Sequence, residues 1–167
     1  DIGQITPHGL TQDGSLYFSR YTRRFTTYIV PFDAETVGIQ AESKTPLLGS
    51  NFSPEWSPDG EFLAYVTEKE DKRRLHIRNL RTGEERGLAE GIEVRSPRWS
   101  PDGRFVLAPG FDKGKRDRKD YRGGLYTIDV EKDQVTQLVQ FPPRQNGWTG
   151  STAEWSLEGK DVFYLTQ

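Results

Sequence analysis

Histidine, cysteine and carboxylate side chains carry much of catalysis and metal binding, and serine is a common nucleophile, but this sequence offers few of them in useful patterns. The two histidines, His8 and His76, stand in different parts of the chain, and no cysteine is present. Neither histidine has a second histidine or a cysteine at the spacing of a metal site. No G-x-S-x-G segment occurs, because Gly150 and Ser151 lack the glycine that would complete one. The residues therefore predict no enzyme, no metal site and no cofactor, and they predict a half-buried or surface imidazole at His76.

Arginine and aromatic side chains suited to binding are concentrated in two stretches. Residues 111–124 carry six basic and three acidic side chains, and residues 140–151 include Arg144 and Trp148. An aromatic residue beside an arginine is typical of a binding surface. The alternatives are a solvated hairpin tip for the first stretch and a Trp148 that folds back on its own loop for the second.

An internal repeat indicates which elements position these stretches. The segment SPEWSPDG at 53–60 returns as SPRWSPDG at 96–103, and weaker copies stand at 152–159 and 8–18. A period of about 40 to 45 residues with a recurring Trp is the spacing of four-stranded propeller blades. The predicted fold class is all-β, a partial β-propeller of about three and a half four-stranded blades, with no helix of three or more turns. The predicted units are blades at about 1–48, 49–89 and 90–140 and a half blade at 141–167.

Alternation and turn residues place the strands within each unit. The Ser-Pro-Asp-Gly segments predict turns, in which Asp59 and Asp102 accept hydrogen bonds from their own backbone. The alternation over 62–67 predicts a strand packed on both faces. Further strands are predicted at 53–56, 75–80 and 85–88 in the second unit, at 96–99, 104–108, 125–130 and 135–139 in the third, at 5–10, 15–20, 27–32 and 45–48 in the first, and at 152–155 and 161–166 in the fourth.

Two departures from the repeat lengthen loops of the third unit. The loop before its third strand is seven residues longer than in the second unit, and the loop after its fourth strand is six residues longer. In a four-stranded blade these two loops emerge on the same face of the disc. Both insertions are therefore expected side by side, together with the loop at 21–25. The candidate binding residues on this rim are Arg23, Arg24, Arg95, Arg116, Tyr121, Arg144 and Trp148.

The inner strands carry a second pattern, because the residues before the three recurring tryptophans alternate in charge. Glu55, Arg98 and Glu154 are expected to pair across neighbouring blades, since buried charge is tolerated only when it is paired. The tryptophans themselves are expected to pack against the neighbouring blade. They are Trp56, Trp99 and Trp155.

The fourth unit supplies only two strands, so open strand edges are expected at both ends of the array. Either a second copy covers those edges or the chain is a piece of a larger propeller. Self-association is therefore expected, and a stable monomer at high concentration would contradict it. The net charge of −2 gives no global field that favours nucleic acid or a membrane surface, and no apolar run reaches the length of a membrane span. Neither nucleic acid binding nor membrane insertion is expected.

The pattern SPxWSPDGxxLAYV, followed by a strand and a Thr-Gly-Glu turn, resembles the TolB-like, or WD40-like (PD40), β-propeller repeat. The resemblance is close over 53–88, good over 96–139, and loose over 10–48 and 152–166. It implies a propeller fold and a periplasmic or other extracytoplasmic location. The repeat builds partner-binding TolB propellers, the gating propellers of prolyl-oligopeptidase-like and tricorn-like peptidases, and extracytoplasmic domains of regulators, so the fold does not choose among these functions.

Three classes of function follow. The leading hypothesis is a noncatalytic TolB-like module that binds a protein or peptide partner through the rim. The alternative is the gating propeller of a serine peptidase whose catalytic domain lies outside this chain, which a G-x-S-x-G segment in the parent polypeptide would reveal. The third is a sugar or small-ligand binder that uses Trp148 and Tyr121 as stacking platforms.

Overall fold

A computed structural model of the chain describes residues 53–69, 72–112, 123–141 and 152–165 in full. Before residue 53 it describes Glu35 and the backbone of the strands. All regular structure in these residues is strand, and no helix occurs among them, so the all-β prediction is confirmed. Accordingly, the described residues contain no helix that is long and apolar enough to cross a membrane.

The first unit departs most from its predicted four strands. Its described residues form three two-stranded antiparallel sheets: β1 (Gln4–Leu10) with β2 (Leu16–Tyr21), β3 (Tyr28–Ile29) with β6 (Thr45–Pro46), and β4 (Phe32–Asp33) with β5 (Gly38–Ile39). The single strand predicted over 27–32 is therefore wrong. Its two pieces stand on either side of Pro31, which has no N–H to give to a ladder.

The second unit, blade 2, is a four-stranded antiparallel meander as predicted. Its strands are β7 (Asn51–Trp56), β8 (Phe62–Lys69), β9 (Lys72–Asn79) and β10 (Glu85–Leu88). Residues 63–66 of β8 are all buried, which confirms the prediction of a strand packed on both faces.

Blade 3 repeats this order, and the half blade adds a hairpin. Their strands are β11 (Ile92–Val94), β12 (Arg98–Trp99), β13 (Phe105–Asp112), β14 (Gly123–Asp129) and β15 (Gln134–Gln140), then β16 (Ala153–Trp155) and β17 (Val162–Tyr164). The inner strand predicted at 96–99 is shorter, as β12, and β11 precedes it as a further piece that the sequence did not predict; both pair with β13.

A Ser-Pro pair interrupts the inner strand of both blades. Ser53 and Ser96 have positive φ angles of 53° and 42°, which is uncommon for a residue with a β-carbon. In blade 2 the pairing register shifts between Phe52 and Glu55, which is a β-bulge. The proline after each serine has no N–H, so it fits a position where the ladder needs no donor. The Ser-Pro pair of the repeat therefore marks a bulge and not a plain strand.

The Ser-Pro-Asp-Gly turns of the two blades are held in the same way. The Oδ1 atom of Asp59 accepts hydrogen bonds from the Ser57 hydroxyl at 2.5 Å and from the Glu61 N–H at 2.9 Å. Asp102 accepts the equivalent pair at 2.5 Å and 3.0 Å. These hydrogen bonds, the serine's first, hold the pKa of both aspartates below the ordinary value. The predicted role of the two aspartates is confirmed.

The apolar core lies between sheets, as in a propeller. One cluster joins the facing sides of blades 2 and 3, and its buried members are Ala64, Val66, Leu75, Ile77, Leu88, Ala89, Val94, Trp99, Val106, Ala108, Tyr126 and Ile128. A second cluster joins blade 3 to the half blade through Leu107, Leu125, Phe141 and Ala153. Burial of these side chains between successive blades fixes the blades relative to one another.

Candidate functional site

The roots of the two insertions lie next to each other at one edge of blade 3. Strand β13 ends at Asp112, where the first insertion leaves, and β14 resumes at Gly123. The second insertion leaves from Gln140, which pairs with Gly124, and the N–H of Phe141 donates to the Gly123 carbonyl at 2.8 Å. The prediction that the insertions emerge side by side is therefore confirmed for their roots. We call this edge, with residues 113–122 and 142–151 that leave from it, the insertion face.

Most of the candidate rim residues lie outside the described part of the chain. These are Arg23, Arg24, Arg116, Tyr121, Arg144 and Trp148. Arg95 is described: it follows β11, and its N–H donates to the Pro109 carbonyl at 2.9 Å. Its side chain is half-buried, with Nε enclosed. The role of the seven residues as a binding rim stays a prediction.

The residue that follows Gln140, at the root of the second insertion, belongs to the core. Phe141 is 4% exposed and packs with Leu107, Leu125 and Ala153. Its ring centroid lies 6.0 Å from that of Tyr164 in the half blade. The insertion therefore starts from a fixed anchor, which holds its root against both blade 3 and the half blade.

His76 lies in a polar cluster on blade 2 rather than in a catalytic arrangement. Its Nδ1 is 2.8 Å from Oε1 of Glu85 without the alignment of a hydrogen bond, and its ring stacks on Tyr65 at 5.8 Å. The Tyr65 hydroxyl donates to Glu85. Burial first, and then the Glu85 carboxylate, raise the pKa of Tyr65 well above its ordinary value, so the phenol remains a neutral donor. The cluster links β8, β9 and β10, and the described residues contain no group of three potential metal ligands.

Charge pairing along the inner strands matches the prediction. Arg98 Nη1 is 3.2 Å from Glu55 Oε2, and Arg98 Nε is 2.6 Å from Glu154 Oε1. One guanidinium thus joins three successive blades. Burial raises the pKa of Glu55, while Arg98 opposes that rise. The pairing is confirmed, and it gives the inner wall a structural role.

The recurring tryptophans add a second link between blades. The indole Nε1 of Trp99 donates to the Glu55 carbonyl at 3.1 Å, and that of Trp155 donates to the Arg98 carbonyl at 3.2 Å. Each indole therefore reaches back to the residue before the preceding blade's tryptophan. Trp56 differs, because 51% of it is exposed. The predicted packing on a neighbouring blade is confirmed for Trp99 and Trp155; for Trp56 the preceding unit's side chains lie outside the described residues, so its packing there stays a prediction.

Replacement of Arg98 by methionine should destabilise the fold by about 1 to 2 kcal/mol at pH 7. The estimate lies between the values for exposed and buried ion pairs, because the three side chains are partly exposed. Arg98 holds down the raised pKa of Glu55, so its loss raises the cost of ionising that carboxyl as the pH rises. The deficit should therefore be larger at pH 7 than at pH 4 in urea unfolding.

A matched control for this change is Lys160→Met. It removes one cation from the exposed pair with Glu158 in the half blade, and it should change the free energy of unfolding by less than about 0.5 kcal/mol. Equal effects of the two substitutions, or an Arg98→Met deficit that grows as the pH falls, would contradict the structural role of the inner charges.

A cleft at the insertion face was not predicted from the sequence. It has a volume of about 430 Å³ and lies on the side of blade 3 that packs against blade 2. Its lining residues are Gly91, Ile92, Asp112, Tyr126, Val135, Gln137 and Gln140. Two of them, Asp112 and Gln140, are the residues from which the insertions leave. The available signal was the break in alternation along 134–140, which a plain strand does not explain.

Comparisons with known proteins agree with this architecture. The Tol-Pal system protein TolB of Actinobacillus pleuropneumoniae serotype 5b (strain L20) is 39% identical over 71 residues, which are 42% of this chain and 15% of that protein. The crystal structure of TolB from Acinetobacter baumannii superposes with a TM-score of 0.58 at 21% identity, over 83% of this chain and 35% of that one. Both likenesses support the resemblance of this chain to the TolB-like β-propeller repeat. No family model matches it.

The TolB-like fold is shared with peptidase structures. The acylaminoacyl peptidase of Pyrococcus horikoshii superposes with a TM-score of 0.55 at 19% identity, over 86% of this chain and 26% of that one. This likeness concerns the fold. The match with the Actinobacillus TolB spans 15% of that relative's length, so this TolB-like chain corresponds to a small part of it.

Proposed function

We propose that this chain is a noncatalytic TolB-like propeller module that binds a protein or peptide partner through the insertion face. The rim of Arg23, Arg24, Arg95, Arg116, Tyr121, Arg144 and Trp148 would make the contacts. The observation that carries the proposal is that the two insertions leave from one edge of blade 3. Gly123 pairs with Phe111 at the root of the first insertion, and the next residue, Gly124, pairs with Gln140 at the root of the second. Loops carried by a rigid sheet are where binding residues concentrate.

Likeness to TolB proteins supports partner binding over a peptidase role. The matched curated relatives are named as Tol-Pal system proteins, and we transfer from them a partner-binding role in a protein system. The peptidase neighbours are less than 25% identical and resemble the chain in fold only. The periplasmic or other extracytoplasmic location that the family resemblance implies is part of this proposal.

Self-association is also part of the proposal. The half blade exposes large apolar side chains near the second of its two strands, with Leu157 at 98%, Phe163 at 65% and Leu165 at 68% exposed. Exposed apolar patches of this kind favour contact with another chain. We propose that either a second copy of the chain or further blades of a larger propeller cover this surface. Sedimentation of the chain at high concentration distinguishes the two, because a stable monomer would contradict self-association.

The charged part of the rim should act on association. We expect Arg116→Ala and Arg144→Ala to slow the association of a bound peptide and to flatten its dependence on salt, because rim charges steer encounter more than they hold a complex. The probes are peptides selected from a random display library on the wild-type chain, and the measurement is association rate at several salt concentrations.

Arg81→Ala is the matched control for these rates. Arg81 is exposed in the turn between β9 and β10 of blade 2. This turn joins the third and fourth strands of its blade, whereas the first insertion of blade 3 joins the second and third strands, at the other end of the strands. It should leave the association rate and its salt slope unchanged. A library that yields no binding peptide, or peptides that respond equally to all three substitutions, would contradict binding at the insertion face.

A further inference from the structure

The cleft at the insertion face owes part of its polar lining to a β-bulge in β15. Gln137 pairs with Tyr126 and Val139 pairs with Leu125, so Leu138 is one extra residue on the outer strand. A bulge of this kind reverses the alternation of side chains beyond it. Gln140 therefore lies on the same face as Gln137, although an uninterrupted strand would place the two on opposite faces. Bulges are often found where a strand redirects a side chain into a site.

The two valines of β15 show the same reversal of side-chain direction at the bulge. Val139 packs in the cluster between blade 3 and the half blade, whereas Val135 packs against the cluster between blades 2 and 3. The bulge thus directs one partly buried valine to each face of the sheet, while both glutamines line the cleft on one face. Both glutamine side chains are exposed.

The walls of the cleft combine apolar surface with acceptor oxygens. Ile92 and Val135 are partly buried and continuous with the main core. Tyr126 is 5% exposed. Burial, and then the negative charge of Asp112, raise the pKa of Tyr126. Each glutamine amide adds an acceptor oxygen beside that carboxylate.

We propose that this cleft binds a lysine or arginine side chain of the partner peptide. The methylene stem would lie along Ile92 and Val135, and the cationic head would reach the Asp112 carboxylate and the amide oxygens of the two glutamines. Long basic side chains bury an apolar stem while the head keeps its hydrogen bonds, and a hydrogen bond from a cation to a carboxylate is about twice as strong as a neutral one. This proposal rests on the proposed function, because it names the residue type that the partner presents.

The cleft and the rim together specify a peptide of mixed charge. The first insertion, 111–124, carries three more basic than acidic side chains and favours acidic residues, while the cleft at its root favours one basic residue. A partner segment that fits both would place a lysine or arginine next to acidic residues, and a purely acidic or purely basic segment would fit only one of them.

Nuclear magnetic resonance of the ¹⁵N-labelled chain tests the cleft without knowledge of the partner. The probes are lysine methylamide acetylated on its α-amine, which keeps the side-chain ammonium, and the norleucine analogue, which has no charge. We expect the lysine probe to shift the side-chain amide signals of Gln137 and Gln140 saturably, with norleucine binding at least about fivefold more weakly, since norleucine lacks the charge-assisted hydrogen bond to the Asp112 carboxylate. Asp112→Asn should weaken lysine binding by a similar factor.

Glu131→Gln is the control, because it removes the same charge from an exposed position at the other end of β15. Should Asp112→Asn disturb the fold, Gln137→Leu at an exposed position takes its place, with an expected loss of at least about twofold, because a neutral amide acceptor contributes less than a carboxylate. Equal binding of the two probes, no saturable shift up to about 50 mM probe, which is well above a 1 mM dissociation constant, or equal effects of Asp112→Asn and Glu131→Gln would overturn the cleft proposal.

The two proposals fail separately. Selected peptides that depend on Arg116 and Arg144, together with a cleft that does not bind the lysine probe, would remove the cleft proposal and leave the rim. A cleft that binds lysine, together with peptides indifferent to the rim, would remove the proposed function and leave only a basic side-chain site.

Discussion

Replacement of Trp99 by alanine should lower the free energy of unfolding by about 3 to 5 kcal/mol, the usual cost of deleting a buried tryptophan. Trp99 is 7% exposed and belongs to the cluster that joins blades 2 and 3. Its indole also donates to the Glu55 carbonyl, so the substitution removes an apolar contact and a hydrogen bond at the same seam. Urea unfolding of the variant measures the loss.

Trp56→Ala is the matched control, because Trp56 occupies the same position in the repeat. Since 51% of Trp56 is exposed, its removal should cost about 1 kcal/mol or less. Trp99→Phe should fall between the two, because it keeps a ring in the seam and loses the indole donor. Equal costs at Trp56 and Trp99 would show that the two blades are not joined in the way that the structure describes.

Much of the fold was predictable because the repeat residues act locally. The Ser-Pro-Asp-Gly turns depend on hydrogen bonds between neighbours, as at Asp59 and Asp102. The pairing of Glu55, Arg98 and Glu154 followed from the repeat alone, because residues at one position of successive blades must be neighbours. These features require no knowledge of side-chain packing.

Features that depend on register or on a neighbouring sheet were not predictable. The positive φ of Ser53 is rare for serine, so composition does not indicate the bulge. The exposure of Trp56 depends on what lies beside blade 2, which no residue within the repeat reveals. Gln140 lies on the cleft face because of one extra residue, Leu138, in a strand that otherwise alternates as expected.

The candidate site was likewise predictable only in the features that follow from the repeat. The insertions were predictable as departures from the period, and their roots lie together as expected. Phe141 was predicted within the second insertion, but its burial against the half blade depends on Tyr164, which comes from another blade. The seven rim residues remain a prediction, and Trp148 is the one whose removal has the largest expected effect on binding.

Trp148→Ala should raise the dissociation rate of a bound peptide by about thirtyfold, which corresponds to about 2 kcal/mol. A tryptophan outside the repeat position supplies a large apolar surface with few rotatable bonds, and such residues anchor interfaces. The association rate should change little, because steering belongs to the arginines. Since Trp148 does not occupy a repeat position, the stability of the domain should not change.

The most direct measurement is therefore the dissociation rate of library-selected peptides from wild type, Trp148→Ala and the control Trp56→Ala, with urea unfolding of each variant alongside. Binding through the insertion face predicts that dissociation is fast only from Trp148→Ala. It also predicts that the free energy of unfolding of Trp148→Ala equals that of the wild type. Unchanged dissociation from Trp148→Ala, or loss of the folded domain in that variant, would contradict it, because Trp148 would then only cover its own loop.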